Sequence, residues 1–182
     1  MSQAEYRLVD KNYELLTDVA YVKGYKSKTK NKKNSLSHLF LDLDLDLNLE
    51  NFISSDLALS LKKVSNDSYL QIFDTHITKS KVRPENFNKL NNNLKIFLNH
   101  ENFNFETGIE SFEDLQIKSS DRFQYILPYY KFEKTLSQDY LSGSLNFNSS
   151  GSNDLSNTNN LKTNIVNNIT YNSLDFISNF GL

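Results

Sequence analysis

The chain has 182 residues, a formal net charge of −2, 38% hydrophobic residues and no Cys. The mildly acidic balance argues against a nucleic-acid partner, and the absence of Cys removes disulfides, thiolate zinc sites and Cys nucleophiles. Only three Ala accompany 26 Leu and 13 Phe, which weighs against a helical bundle, and no run of 18 apolar residues offers a transmembrane helix. That count leaves a membrane-spanning sheet open, because a transmembrane strand shows lipid only every second side chain.

In chain order, the start Met1-Ser2-Gln3-Ala4-Glu5-Tyr6 has neither the basic nor the apolar region of a secretion signal. Residues 5–9 and 13–23 alternate loosely and are read as strands. Residues 26–35 carry Lys26, Lys28, Lys30, Lys32 and Lys33 and are expected to be a solvated loop, or a contact for anionic groups.

The sharpest pattern follows. Leu39, Leu41, Leu43, Leu45, Leu47 and Leu49 alternate with Phe40, Asp42, Asp44, Asp46 and Asn48. A period of two puts all the leucines on one strand face. After a turn at Glu50-Asn51-Phe52, Ile53, Leu57, Leu59 and Leu61 alternate with Ser54, Asp56, Ser60 and Lys62, which predicts an antiparallel hairpin.

Residues 65–93 form the longest gap in the alternation. It returns at Leu94, Ile96 and Leu98, at Phe103, Phe105, Thr107 and Ile109, and at Phe123, Tyr125 and Leu127, where Pro128 marks a break or an edge. It continues at Leu141, Gly143, Leu145 and Phe147, then at Leu161, Thr163, Ile165, Ile169 and Tyr171. Residues 149–160 are nearly all Ser, Asn, Asp and Gly and are expected to be an exposed, mobile loop.

Roughly eight to ten strands result. The three best defined, residues 39–49, 53–64 and 161–171, suit a tilted membrane strand of roughly 9–11 residues better than an average soluble strand. Aromatic residues near strand ends, among them Tyr6, Tyr13, Tyr21, Phe40, Phe52, Tyr129, Phe132 and Phe180, suit interfacial girdles.

Little points to covalent chemistry. Asp42, Asp44 and Asp46 are read as a solvated strand face rather than a Ca²⁺ site, since no turn geometry or distant Glu completes one. His38, His76 and His100 show no metal-ligand spacing, and Asp74, His76 and the nearby serines lack a nucleophile-elbow motif. No catalytic, cofactor-binding or metal-ligating residue is assigned, and the chain is not expected to be an enzyme.

One tract resembles a known family. Lys63-Val64-Ser65-Asn66-Asp67-Ser68-Tyr69-Leu70, followed by Phe73-Asp74, is similar to a strand end and acidic loop of the lipopolysaccharide-assembly outer-membrane protein family LptD, also called organic solvent tolerance protein. Residues 94–116 and Arg122-Phe123-Gln124-Tyr125-Ile126-Leu127-Pro128-Tyr129-Tyr130 resemble the strands that follow in that family.

The resemblance implies an all-β fold. It would be an antiparallel transmembrane β-sheet meander, an arc of a large outer-membrane β-barrel, spanning 1–182 as one partial barrel domain. It implies part of the translocon that inserts lipopolysaccharide into the outer leaflet of a Gram-negative outer membrane. The implied partners are lipopolysaccharide, outer-membrane lipid, a lipoprotein plug like LptE, and a periplasmic bridge like LptA. On that resemblance, the bridge would be reached through an N-terminal domain expected to be missing from this chain. On this reading Leu39, Leu41, Leu43, Leu45, Leu47, Leu49, Leu57, Leu59 and Leu61 face lipid, while Asp42, Asp44, Asp46 and Asn48 face the lumen. A different outer-membrane barrel of porin type and a soluble β-rich binding module are the alternatives.

Overall fold

Alternation of leucine with acid builds the centre of the fold. A computed structural model of the protein describes residues 1–26, 33–137, 143–156 and 159–173. It contains nine strands: β1 (Ser2–Val9), β2 (Tyr13–Lys26), β3 (Lys33–Asp46), β4 (Ser54–Val64), β5 (Lys89–His100), β6 (Phe103–Asp114), β7 (Phe123–Ser137), β8 (Gly143–Ser156) and β9 (Asn160–Ser173). They form one antiparallel sheet in sequence order, in which each strand pairs only with its sequence neighbours. Strands β1 and β9 each have a single partner, so the sheet is not closed among the described residues.

Register carries the alternation across the sheet, because residues opposite each other share a face. Leu15, Leu43, Leu59, Leu94 and Ile109 follow one another from β2 to β6. Next to that row, Leu45, Leu57, Ile96, Thr107 and Tyr130 form another. The opposite face presents Asp42 beside Ser60 and Asn93 beside Glu110. Register shifts occur between Gly108 and Glu110 on β6 and between Ile126 and Tyr129 on β7, across the cis Leu127–Pro128 bond. Pro128, which brings no N–H to a ladder, therefore marks a bulge inside the sheet and not an edge strand.

The connections differ between the two ends of the sheet. One end carries residues 10–12, 47–53 and 101–102; the other carries 65–88 and 115–122. The longest connection holds two single-turn helices, α1 (Tyr69–Ile72) and α2 (Asp74–Ile77). Its Tyr69, Leu70, Ile77 and Val82 are buried in one cluster with Leu36, Phe40, Val64, Leu90 and Leu115. This insert sits where β4 and β5 part. Their ladder ends at Ser60 opposite Asn93, and beyond it the Lys62 backbone N–H donates to Asn92 Oδ1 at 2.5 Å.

Several boundaries differ from expectation. The β3–β4 turn opens earlier, so Leu47, Asn48 and Leu49 lie beyond the strand. Asn48 adopts φ 49° and its N–H donates to Asp46 Oδ1 at 2.9 Å. It is a turn residue in the left-handed region that Asn tolerates, not a strand residue with a fixed face. The expected loop at 26–35 is narrower, since Lys26 and Lys33 already pair across β2 and β3, and residues 27–32 lie outside the described residues.

The expected mobile loop at 149–160 is corrected outright. Ser149–Ser156 continues β8, with registered neighbours on both sides. Cross-strand polar pairs do there what apolar pairs do elsewhere. Ser149 Oγ donates to Asn167 Oδ1 at 2.7 Å, and Thr163 Oγ1 donates to Asn153 Oδ1 at 2.8 Å. Such Ser, Thr and Asn pairs support a sheet without apolar periodicity.

Candidate functional site

The apolar face is the first candidate surface. Leu39, Leu41, Leu43 and Leu45 of β3 share it with Leu57, Leu59 and Leu61 of β4. Nothing among the described residues covers it, and it leaves large side chains open toward both edges, including Tyr6, Val19, Ile109, Ile165 and Ile169. At the end with connections 47–53 and 101–102, a line of rings runs along it. Phe52 lies 5.7 Å from His100 and 6.1 Å from Phe103, Phe103 lies 5.8 Å from Phe132, and Phe132 lies 6.1 Å from Phe147. Phe40 does not belong to such a girdle: it is fully buried beneath the insert and stacks on His38 at 4.1 Å. Phe180 lies outside the described residues.

The polar face is the second. Asp42, Asp44 and Asp46 share it; Asp42 accepts from Ser60 Oγ at 2.7 Å and from Lys62 Nζ at 2.5 Å, while Asp46 accepts the turn N–H of Asn48. Asp44 and Asp46 are exposed. Further across, Glu106 Oε1 accepts from Tyr129 Oη at 3.0 Å and from Lys131 Nζ at 3.4 Å, while Lys95 and Glu110 stand 3.7 Å apart. Gly108 makes room for this arrangement, since a Cβ there would lie 3.0 Å from the Tyr129 ring and 2.5 Å from the Leu94 carbonyl oxygen. Among the described residues no group of three His, Asp or Glu side chains converges as metal ligands would.

At the end covered by the insert, the same face holds a buried polar chain. Gln3 Nε2 donates to Asp18 Oδ2 at 2.9 Å. Asp18 Oδ1 lies 3.3 Å from His38 Nε2, an ion-pair distance without hydrogen-bond alignment. His38 Nδ1 and Tyr69 Oη share a hydrogen bond at 3.0 Å, its direction set by the imidazole tautomer. Burial, with a smaller push from the Asp18 charge, raises the Tyr69 phenol to about 12, so it stays protonated. The Lys63–Leu70 tract thus seats the insert, through Tyr69 and Leu70.

A second tie is charged. Arg122 lies 2.7 Å from Asp67 and 2.6 Å from Glu113, joining the insert to the β6–β7 connection. The Arg122 hydrogen bond holds the Asp67 carboxyl below the usual carboxylate range, and Asp67 in turn raises the guanidinium. Sequence reasoning missed both ties. The available signal was the break in polarity along β3, where Leu36, His38 and Phe40 occupy the face that Asp42 continues.

Asp74, Thr75 and His76 form no nucleophile arrangement. Asp74 Oδ1 accepts the Thr75 backbone N–H at 2.5 Å, and His76 contacts the Thr75 hydroxyl at 3.2 Å on an exposed turn. No described helix is long and apolar enough to cross a membrane, which leaves strands untouched as a means of crossing. No family model matches the chain, and no curated protein matches it.

Proposed function

We propose that the sheet is an arc of a large outer-membrane β-barrel, with its leucine face in lipid and its acidic face toward the lumen. The carrying observation is the uncovered apolar face, continuous in register from β2 to β6 and bordered at one end by the line of rings from Phe52 to Phe147. Barrels place aromatic girdles at their interfaces and carry short turns at one end and long loops at the other. The unequal connections suit that arrangement, with the insert among the long loops. Two free edges suit a sheet completed by further strands, since open edges do not persist in lipid. The finer role in lipopolysaccharide insertion, with an LptE-like plug and an LptA-like bridge as partners, draws on the resemblance of the Lys63–Asp74 tract to LptD.

The chain contains no Cys, so single cysteines can be placed cleanly. A fluorophore attached at residues 41, 43 or 45 of the protein in bilayers should be quenched by brominated lipid, and one at residues 42 or 44 should not. Equal quenching at odd and even positions defeats the membrane assignment. For the transport role, a photo-crosslinking amino acid at position 44 in living cells should capture lipopolysaccharide. A membrane-embedded sheet with no such adduct at any polar-face position retains the barrel and loses the transport role.

A further inference from the structure

A cavity of about 1090 Å³ lies on the polar face, between β3–β6 and the second half of the insert. Five cationic side chains line it (Lys62, Lys79, Lys81, Arg83 and Lys89) against two carboxylates, Asp42 and Glu85. The chain as a whole carries −2, so this is a local reversal of sign. Two of the cations are already engaged: Lys62 with Asp42 at 2.5 Å, and Arg83 with the Thr78 carbonyl oxygen. Lys79, Lys81 and Lys89 are exposed and form no ion pair among the described residues. Between Lys79 and Lys81, Ser80 lines the same cavity. It is 3% exposed, and its hydroxyl makes no hydrogen bond among the described residues. Buried polar groups are rarely left so, and a free hydroxyl in a lining that also carries three unpaired lysines suits an oxyanion.

We propose that this cavity is an anion site, in which Lys79, Lys81 and Lys89 neutralise a phosphate-class group and the Ser80 hydroxyl donates to one of its oxygens. Several ammonium groups around one space favour a multiply charged anion, since lysine binds phosphate as a mobile point charge. The cavity is of the size that accommodates small organic ligands, and Asn86, Asn91 and Asn93 in its lining offer amides to whatever polar moiety carries the charge. The Asp42–Lys62 pair in the lining adds no net charge. The site stands whether the sheet's other face meets lipid or another protein.

The test uses the protein extracted from its native membrane in zwitterionic detergent, with the insert first shown to resist protease, and titrates it calorimetrically with inorganic pyrophosphate and separately with short-chain phosphatidylglycerol. Saturable binding of either is expected, weakened by about three- to tenfold in Lys79→Gln and Lys81→Gln and by more in the combination with Lys89→Gln. Ser80→Ala should weaken binding at unchanged salt dependence, because it removes a donor and no charge. Lys131→Gln, outside the cavity, should bind as the parent does. The preferred probe tells a soluble phosphate from a lipid headgroup. Lys79 and Lys81 are exposed, so their single variants test the site even if the triple variant misfolds. Binding of neither probe, or equal weakening by Lys131→Gln, overturns the proposal.

Discussion

The two halves of β3 share one face and put it to opposite uses. At one end Leu36, His38 and Phe40 are buried, none more than 3% exposed, beneath the insert. A few residues on, Asp42, Asp44 and Asp46 occupy the same face, and the last two stand open. Both halves keep the period of two. What changes is the cover: the insert excludes water from one half and stops short of the other. A strand face is therefore apolar or polar according to what lies over it, and one strand can hold both states in sequence.

The covered half depends most on Phe40. Phe40→Ala empties the centre of the covered half and should cost about 3–5 kcal/mol, read as a lowered urea midpoint of the protein in lipid. A cost near that of an exposed site would mean that the insert is not core. Leu43→Arg, further inside β3 than the turn-side Leu45 and opposite Leu15 and Leu59, tests the reverse face of the open half. A basic residue at mid-bilayer costs about 2–4 kcal/mol, whereas Asp44→Asn beside it should cost on the order of 0.5 kcal/mol or less. Equal costs would turn the acidic row into a structural site and reverse the inside–outside assignment.

Tyr69→Phe sharpens the comparison without emptying volume. It leaves His38 Nδ1 without its partner and should cost about 1–3 kcal/mol, with early protease cleavage confined to the insert. A variant as resistant as the parent would show that apolar packing alone holds the insert.

The smallest effect concerns Asp67, which is half exposed. Its carboxyl is depressed in the folded state by Arg122. Its contribution is therefore complete above the unfolded value near 4 and is lost as pH falls through the lower folded value. Solvent screening keeps it to about 0.2–1 kcal/mol. Insert protection in the parent should decline relative to Asp67→Asn below pH 4, and parallel pH profiles would remove the Asp67–Arg122 tie from the account.

Strands whose side chains alternate in hydropathy were legible: β4 and β9 fall almost where alternation puts them, while β6 runs on to Asp114 and β3 begins well before Leu39, at Lys33. The first half of β8, residues 143–148, was legible too, but its second half was not, because Ser149–Ser156 is held by a backbone ladder and by side-chain pairs with Asn167 and Thr163 that lie on another strand. The Leu face of β3 and β4 was readable, while the fate of Leu47, Asn48 and Leu49 depended on where the turn opened. The cavity and the Gln3–Asp18–His38–Tyr69 chain were hidden for a common reason. Each joins residues from distant parts of the sequence, and no local period records that.

The strictly sequential order of the sheet has a kinetic consequence. Because every ladder joins consecutive strands, each can close as a hairpin onto the one before it, and the loop closures are short. The insert is the exception: Tyr69 must find His38, and Phe40 and Val64 must be in place before the cluster has a floor. Substitutions within β8 or β9 should therefore leave the speed at which β2–β4 forms unchanged. Those at Tyr69 should act late, after the hairpins exist, and accelerate opening more than they slow assembly.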